Sequence, residues 1–442
     1  MIGAILAIAM LAADVGGAMP VRVTDPWTIE VGPGAVDLNG RTVTLGSAVK
    51  FSIMPSPVIT VQNEPHEALP VFNEKAGGWG KGTRLTPLIT QECSATGALV
   101  PATLVLKPAP GAATPFTPDT DYRIDGFWAT IGRVEDGPID AQQTVYVDYQ
   151  YSPDRLDTIA ADAQGHLRLV EGALGAGAME PPALAPGESA VVNVWVPSQT
   201  KALTDENLFP IFPARHEEPA TSASIAERLL PRTLARLRAG QEVTIVAWGD
   251  SVTNGGGVTR QEDWYQDQFV RLLQDRFPKA AIHLLTAAWG GSSSAKYLEQ
   301  PHGAQYDFVR DVLEPKPDLV TIEFVNDAYL SEEETMAHYR SILARVQGAG
   351  AEVVLVTPHL VRPDWLKSDT FKVKRDPRPY VAGLRRLSEE DHIALADAAA
   401  GWCDLWRVGI PYTTLLANSI NHPDVRGHAI FASRLMALFP EQ

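Results

Sequence analysis

The feature of this sequence that most limits its fold is a regular alternation, after residue 240, of short apolar runs with amphipathic segments. Short apolar runs of this kind are typical of parallel strands that helices cover on both faces. Five such runs predict a three-layer α/β/α domain on a parallel five-stranded sheet, with ligands at the carboxyl ends of the strands. The predicted strands are Val243–Ala247, Ile282–Thr286, Leu319–Phe324, Val353–Thr357 and Ile393–Ala396, and the predicted helices are Asp263–Phe277, Tyr306–Leu313, Glu332–Gln347, Pro379–Leu387 and Val425–Phe439.

The chain before this region has a different pattern, rich in Pro, Gly, Thr and Val. Several segments alternate polar and apolar residues with a period of two, and Gly/Pro clusters separate them. This pattern predicts an all-β, sandwich-like accessory domain over residues 15–202. A connector and a helix follow over 203–240, with Pro231 kinking or splitting the predicted helix Ser222–Ala239, and the α/β domain occupies 241–442.

The N-terminal residues 1–14 form an apolar run of signal-peptide length that ends in small residues suited to cleavage. The run lacks the Lys or Arg of an ordinary signal peptide, so the alternatives are a buried first strand or an internal start within a longer chain. We expect export, which would make the protein secreted or periplasmic. No later stretch approaches the ~20 apolar residues that a membrane span needs, so no membrane span is expected.

Charge and cysteine content narrow the classes of partner. The 442 residues carry a formal net charge of −16, which repels phosphate backbones. We therefore expect no nucleic-acid partner and a neutral substrate. The two cysteines, Cys93 and Cys403, lie in different predicted domains without a C-x-x-C spacing. Two buried thiols are expected, with a bridge between domains as the alternative, and no spacing predicts a metal site or a cofactor.

Four polar motifs follow the predicted strands or precede the last helix. Gly249-Asp250-Ser251 follows the first strand, and Trp289-Gly290-Gly291-Ser292 follows the second. Asn326-Asp327 follows the third, and His422-Pro423 precedes the final helix. A parallel sheet brings such loops to one edge, so the four motifs are expected to form a single site.

This order of motifs resembles the SGNH (GDSL-type) esterase and lipase family, whose fold is flavodoxin-like. The resemblance covers residues 241–442 and implies that Ser251 is the nucleophile and His422 the general base. It also implies an oxyanion hole from the backbone N–H groups of Ser251 and Gly291, with Gly290 the near neighbour, and from the Asn326 side chain. A serine hydroxyl needs an imidazole within reach to take its proton, and oriented donors stabilise the tetrahedral oxyanion.

The sequence departs from the family at the position three residues before the histidine. The family has an aspartate there that orients the imidazole, whereas this chain has Ser419. The base could therefore work in a Ser–His dyad, oriented by a backbone carbonyl near Ser419 or by another acid, for which Asp424 and Asp397 are the candidates. Phe324 is the second departure, since the family often has glycine two positions before the asparagine.

Two further residues are predicted to touch substrate. Trp289, next to Gly290, could narrow the site toward small acyl groups, and His359 follows the fourth strand at the same edge. Core packing is the alternative for each. The glycine run Asn254-Gly255-Gly256-Gly257 lacks the lysine of a phosphate-binding loop, so no nucleotide is expected.

The sequence thus predicts a serine carboxylic-ester hydrolase that removes small acyl groups, most of all acetyl, from a carbohydrate. Predicted export, the β-rich domain and the acidity favour a neutral acylated carbohydrate, but they are associations and not a geometric argument. Two alternatives remain: a lipase or lysophospholipase-type esterase, and a non-catalytic carbohydrate-binding protein on the same fold.

Overall fold

The computed structural model describes residues 17–38, 40–213 and 223–441. They divide into two compact units, an α/β unit of residues 223–405 and 421–441 and a β-rich unit of residues 17–213 and 406–420. The predicted signal peptide, residues 1–14, lies outside the described residues, as does Ser222 at the start of the predicted connecting helix. Within the described residues no helix is both long and apolar enough to cross a bilayer.

The β-rich unit is built of small antiparallel sheets, which confirms the strand-rich character predicted for this part of the chain. Its strands are β1 (Val21–Asp25), β2 (Thr28–Val31), β3 (Gly34–Leu38), β4 (Arg41–Leu45), β5 (Val49–Ser52), β6 (Ile59–His66), β7 (Thr83–Arg84), β8 (Ile89–Thr90), β9 (Cys93–Ser94), β10 (Leu99–Lys107), β11 (Tyr122–Asp125), β12 (Thr130–Arg133), β13 (Val145–Tyr151), β14 (Asp154–Ala161), β15 (Leu167–Val170), β16 (Leu174–Gly175), β17 (Ser189–Val196) and β18 (Leu208–Pro210). The sheet orders are β1-β2-β5, β10-β13-β6, β11-β12-β7 and β15-β14-β17-β18, with β16 beside β14, and the pairs β3-β4 and β8-β9.

Two apolar clusters hold this unit together. One gathers buried Val, Ile and Leu side chains of β2 to β4 with those of β14 and β17, and the other gathers those of β10, β12 and β13. The period-two alternation seen in the sequence explains them, because alternate side chains of each strand point to the same face. Residues 406–420 belong to this unit, and Asn193 Nδ2 donates to the Gly409 carbonyl at 2.7 Å.

The α/β unit contains the predicted parallel sheet, in the order β20-β19-β21-β22-β23. Central strand β19 is buried along most of its length, as its apolar run predicted. Gly249 at its end lies opposite Ala288 of β20 and Glu323 of β21, so the loops after these three strands leave the sheet side by side. The strands are β19 (Glu242–Gly249), β20 (Ala281–Ala288), β21 (Leu319–Glu323), β22 (Glu352–Val356) and β23 (Ala394–Ala396).

Proline and capping residues set the ends of several helices in this unit. The connecting helix is split at Pro231, as predicted, because a proline can start a helix but not continue one. Ser331 and Glu334 form a capping box at the start of the longest helix. The helices are α1 (Ile225–Leu229), α2 (Pro231–Arg238), α3 (Tyr265–Arg276), α4 (Ser294–Leu298), α5 (Glu332–Gly348), α6 (Pro363–Leu366), α7 (Pro379–Asp391), α8 (Ala398–Cys403) and α9 (Val425–Met436).

The predicted helix Tyr306–Leu313 is wrong in extent, since only Val309–Leu313 forms a helical turn. The cause is Asp307, whose carboxylate accepts the backbone N–H groups of Gly303 at 2.7 Å and Val309 at 3.0 Å. A side chain that binds backbone donors in this way replaces the helical hydrogen bonds of the residues around it. The helical turn therefore starts only after Asp307.

Candidate active site

Ser251 lies in a tight turn directly after β19. The Gly256 N–H donates to the Ser251 carbonyl at 2.7 Å, and the Asn254 N–H donates to the Asp250 carbonyl at 3.0 Å. Gly249 is required at the end of the strand, because a Cβ there would collide with the Glu323 carbonyl and the Thr253 hydroxyl. The turn leaves Ser251 partly exposed, while Asp250 and Val252 on either side are buried.

His422 meets Ser251 in this structure. The imidazole Nε2 lies 3.0 Å from Ser251 Oγ, within hydrogen-bond distance, and only 6% of His422 is exposed. The two residues are 171 positions apart in sequence and come together because the loop before α9 reaches the carboxyl edge of the sheet. An imidazole so placed can accept the hydroxyl proton of the serine.

The glycine run after Ser251 holds the imidazole from the side. A Cβ at Gly256 would lie 3.0 Å from both Cγ and Cδ2 of His422, and one at Gly257, where φ is +97°, would collide with the Pro423 carbonyl. Only glycine lets the backbone pack this closely against the ring. The missing lysine argues only against a phosphate-binding loop, and the sequence signal for this packing role is the position of the glycines next to the nucleophile.

Asn326 lies in the short helical turn Val325–Asp327 that follows β21. Its backbone N–H and its side-chain Nδ2 both donate to Asp250 Oδ2 at 2.9 Å. An amide nitrogen carries two hydrogens, so this bond fixes the side chain and leaves the second hydrogen for another acceptor. The orientation of Asn326 therefore depends on Asp250, a role that the sequence motif alone does not show.

The loop with Gly290 and Gly291 completes this edge. The Trp289 N–H donates to the Gly249 carbonyl at 3.1 Å, which ties the loop to the end of β19. Gly291 has a φ of +72° and open space around it, whereas a Cβ at Gly290 would lie 3.8 Å from the Cβ of Ser251. Both glycines are exposed, so backbone N–H groups of this loop are accessible to a ligand.

Three buried carboxyl groups, those of Asp250, Glu323 and Asp327, lie beneath this edge. Burial raises the pKa of Asp250 to about 7, and the charge of Asp327 adds to the rise, against the N–H bonds from Asn326 and Val252. Burial, and then the charge of Asp250, raise the pKa of Glu323 well above its ordinary value. Asp250 accepts three N–H bonds, whereas Glu323 Oε1 has no hydrogen-bond partner among the described residues. This difference favours the proton on Glu323 and the charge on Asp250.

Two further buried histidines support the loops that carry the site. His428 Nδ1 accepts the Tyr265 N–H at 3.1 Å, and its Nε2 donates to the Gly256 carbonyl at 3.0 Å. These partners require a neutral ring, and burial lowers the pKa of His428 to about 4. His428 therefore fixes the same glycine that packs against His422.

His359 is not placed as a substrate contact, which differs from the sequence prediction. Its ring is fully buried against Trp402 and Phe431, and Nε2 donates to the Asn421 carbonyl at 2.7 Å. Burial lowers the pKa of His359 well below its ordinary value, so the ring is neutral. The strand-end position was correct, but the loop after β22 turns this side chain inward, toward the backbone that precedes His422.

Trp289 keeps its predicted place beside the glycine loop, but its ring face is occupied. The Tyr306 ring stacks on it at 4.5 Å and 10°, and the Lys296 ammonium lies 4.4 Å from its centroid. These contacts leave the edge of the indole, rather than its face, for a substrate. Phe324 is fully buried against Trp248, with ring centroids 4.8 Å apart, and therefore belongs to the core.

The residues considered for orienting the imidazole have other contacts. Asp397 accepts from Arg385 Nε at 2.8 Å and caps α8, and Asp424 accepts the N–H groups of Arg426 and Gly427 at 3.0 Å and caps α9. Ser419 has a φ of +61°, and its hydroxyl lies 3.4 Å from that of Thr90 in the β-rich unit. Among the predicted catalytic residues, the structure brings Ser251 and His422 into contact.

Comparison with known proteins agrees with this arrangement of motifs. Residues 247–430 match the model of the GDSL-like lipase/acylhydrolase family. The match covers the region in which the four strand-end motifs indicated a resemblance to that family. No curated protein sequence matches the chain.

Solved structures with similar parts include two carbohydrate esterases. A two-domain esterase, CEX, described as active on acetylated mannans, is 20% identical over 48% of this chain and 53% of its own, with a TM-score of 0.39. The match thus spans about half the length of that esterase. A mutant of Axe2, an acetyl-xylooligosaccharide esterase from Geobacillus Stearmophilus, is 21% identical over 45% of this chain and 95% of its own, with a TM-score of 0.35.

Proposed function

We propose that this protein is a serine carboxylic-ester hydrolase that works through an acyl-enzyme on Ser251. The observation that carries the proposal is the 3.0 Å contact between Ser251 Oγ and His422 Nε2 at the carboxyl edge of the sheet. The glycine run and the anchored Asn326 flank that contact. Membership of an acylhydrolase family supports the same reaction class.

The proposed first step transfers the Ser251 hydroxyl proton to His422 Nε2 while Oγ bonds to the ester carbonyl carbon. The carbonyl π electrons move onto oxygen, and the oxyanion is stabilised by the free Asn326 amide hydrogen and by backbone N–H groups of Ser251 and the Gly290–Gly291 loop. Collapse of this intermediate breaks the bond to the alcohol, which leaves with the proton from His422. Water then repeats the sequence, releases the acid and restores Ser251.

Asp250 would keep the oxyanion hole ready in this mechanism. It accepts the backbone N–H and one of the two side-chain N–H groups of Asn326 at 2.9 Å, so the amide does not have to reorganise when negative charge develops on the substrate. A single donor of this kind is worth about 3 kcal/mol of barrier in other acyl-transfer enzymes.

We infer further that the acyl group is small and that the alcohol is a neutral carbohydrate. Trp289 directly precedes Gly290, and its ring is fixed by Tyr306 and Lys296, so we infer that this rigid group limits the room beside the nucleophile. A net charge of −16 disfavours anionic substrates. Acetyl is the smallest common acyl group that meets these conditions.

The proposal is tested by hydrolysis of p-nitrophenyl esters. We expect kcat/KM for the acetate to exceed that for the decanoate by about tenfold or more, since a confined site excludes the longer chain. Ser251→Ala should lower kcat by about 10⁴-fold or more, because the nucleophile is lost. Ser341→Ala, on the exposed side of α5, is the matched control and should behave as wild type.

The alternatives give different results in the same assay. A strong preference for the decanoate would indicate the lipase-type esterase instead. Activity that survives Ser251→Ala would overturn the assignment of the nucleophile, and no activity on any ester would favour the non-catalytic carbohydrate-binding protein.

A further inference from the structure

Two aromatic side chains of the α/β unit project into solvent. Tyr329 is 65% exposed and Trp365 is 50% exposed. The other large apolar side chains with comparable exposure in the described part of this unit are aliphatic, namely Leu285 at 43% and Val425 at 37%. An exposed aromatic ring offers a ligand a large flat apolar face, so these two side chains are candidates for ligand contact.

Both rings belong to loops at the catalytic edge of the sheet. Tyr329 follows β21, three residues after Asn326, and Trp365 lies on α6 in the connection that follows β22. Strands β21 and β22 are parallel neighbours, and β21 also pairs with β19, whose end carries Ser251. The two exposed aromatics are therefore mounted on adjacent loops, on the Asn326 side of the nucleophile.

The backbone that carries Tyr329 is fixed. The Leu330 N–H donates to the Asp327 carbonyl at 3.0 Å and closes a turn with Tyr329 near its tip. The buried Asp327 carboxylate in turn accepts the Ser294 N–H at 2.9 Å and the Tyr339 hydroxyl at 2.8 Å. The ring therefore stands in water on a turn that is anchored in the core.

Trp365 is held in the same manner. The N–H groups of Trp365 and Leu366 both donate to the Arg362 carbonyl at 3.1 Å, and Leu366 is 3% exposed. Lys367, with a φ of +53°, ends the helix directly afterwards. A buried leucine thus pins α6 while the neighbouring indole stays exposed.

The surroundings of the rings favour a sugar over an acyl chain. Asp364 and Lys367 beside Trp365 are exposed and charged, as is Glu333, four residues after Tyr329, and the Arg362 guanidinium lies 5.9 Å from the centroid of the Trp365 ring. Both rings therefore have charged residues among their neighbours in the sequence. The electron-rich face of an aromatic ring attracts the weakly positive C–H groups on the face of a sugar ring. The overall charge of −16 also disfavours an anionic ligand.

We propose that Tyr329 and Trp365 form an aromatic platform that binds the sugar chain of an acylated oligosaccharide while its acyl group reacts at Ser251. This inference rests on the proposed function and adds to it the side of the site on which the carbohydrate lies. The platform binds the neutral sugar rings by stacking, and this binding does not depend on the acyl group.

The test compares two substrates across matched variants. Tyr329→Ala and Trp365→Ala should each lower kcat/KM for acetylated xylooligosaccharides or acetylated mannan, relative to that for p-nitrophenyl acetate, by about tenfold, mainly through KM. Tyr329→Phe and Trp365→Phe retain a ring and should retain most of that ratio. Leu285→Ala removes an exposed apolar side chain from within β20 and should leave the ratio at the wild-type value.

A binding measurement separates this inference from the proposed reaction. In the Ser251→Ala background, titration with unacetylated xylooligosaccharide or mannooligosaccharide should give a Kd that rises about tenfold when either ring is replaced by alanine. The platform would be overturned if the alanine variants left the ratio of the two kcat/KM values unchanged. It would also be overturned if neither ring replacement changed the Kd for the unacetylated oligosaccharide. If the wild-type protein hydrolysed no ester at all, the proposed function itself would be overturned.

Discussion

At the scale of single residues, the site depends on buried groups that do not contact substrate. Asp250 fixes the Asn326 amide, His428 fixes Gly256, and His359 fixes the backbone at Asn421. Each of these contacts joins residues distant in sequence, so no motif reveals them. Ser251, Asn326 and His422 could be found from sequence because each directly follows a strand or precedes a helix.

The neutral His428 ring gives the first prediction, a pH dependence of stability. Burial lowers the pKa of His428 to about 4 from an unfolded value near 6.5, so its contribution to stability is complete above pH 6.5 and is lost as the pH falls through 4. His428→Gln can still donate to Gly256 but cannot be protonated. Between pH 7 and pH 4 the unfolding free energy of the wild type should fall by up to about 3 kcal/mol more than that of the variant.

Urea unfolding at the two pH values measures this difference. His283→Gln, which changes an exposed histidine on β20, is the control and should follow the wild-type curve. Equal pH dependence for His428→Gln and wild type would contradict a buried, neutral His428. A lower kcat for His428→Gln at pH 7, with KM little changed, would show that the ring also positions Gly256.

At the scale of elements, the sequence predicted the sheet well and the connections less well. All five strands of the α/β unit were found because apolar runs flanked by helices have few alternative interpretations. The helix at Tyr306 was overextended because the sequence does not show that Asp307 binds the backbone N–H groups around it. The inward turn of His359 could not be predicted, since a strand end fixes where a loop starts but not where its side chains point.

The glycine run after β19 gives a prediction at this scale. Gly256→Ala would place a Cβ 3.0 Å from the His422 ring and 2.8 Å from the Ser251 carbonyl, so the ring has to shift. We expect kcat to fall by about 10- to 100-fold, because small displacements of a catalytic group are costly. Gly348→Ala, at the end of α5 with no atom within 4 Å, is the control and should retain full activity.

The Gly256 assay needs one further readout. Thermal unfolding should show that Gly256→Ala is folded, and fluorophosphonate reactivity should fall together with kcat if the imidazole is displaced. Unchanged kcat in a folded Gly256→Ala protein would show that the packing against His422 is not needed for the reaction.

At the scale of the whole molecule, the chain combines an acidic surface with a site assembled at one edge of a sheet. The net charge of −16 excluded nucleic acid as an expected partner and favoured neutral substrates, but charge cannot specify a reaction. The reaction class came from four loops that a parallel sheet brings together. The sugar-binding role now proposed for Tyr329 and Trp365 depends on exposure, which the sequence alone did not show.

The central claim is that Ser251 is a nucleophile activated by His422. Labelling the protein with a fluorophosphonate and mapping the modified peptide tests this claim most directly, because the reagent reacts preferentially with an activated serine. We predict a single modification, on Ser251, that is lost in Ser251→Ala and strongly slowed in His422→Ala. No labelling, or labelling of another residue in the folded wild-type protein, would contradict the claim.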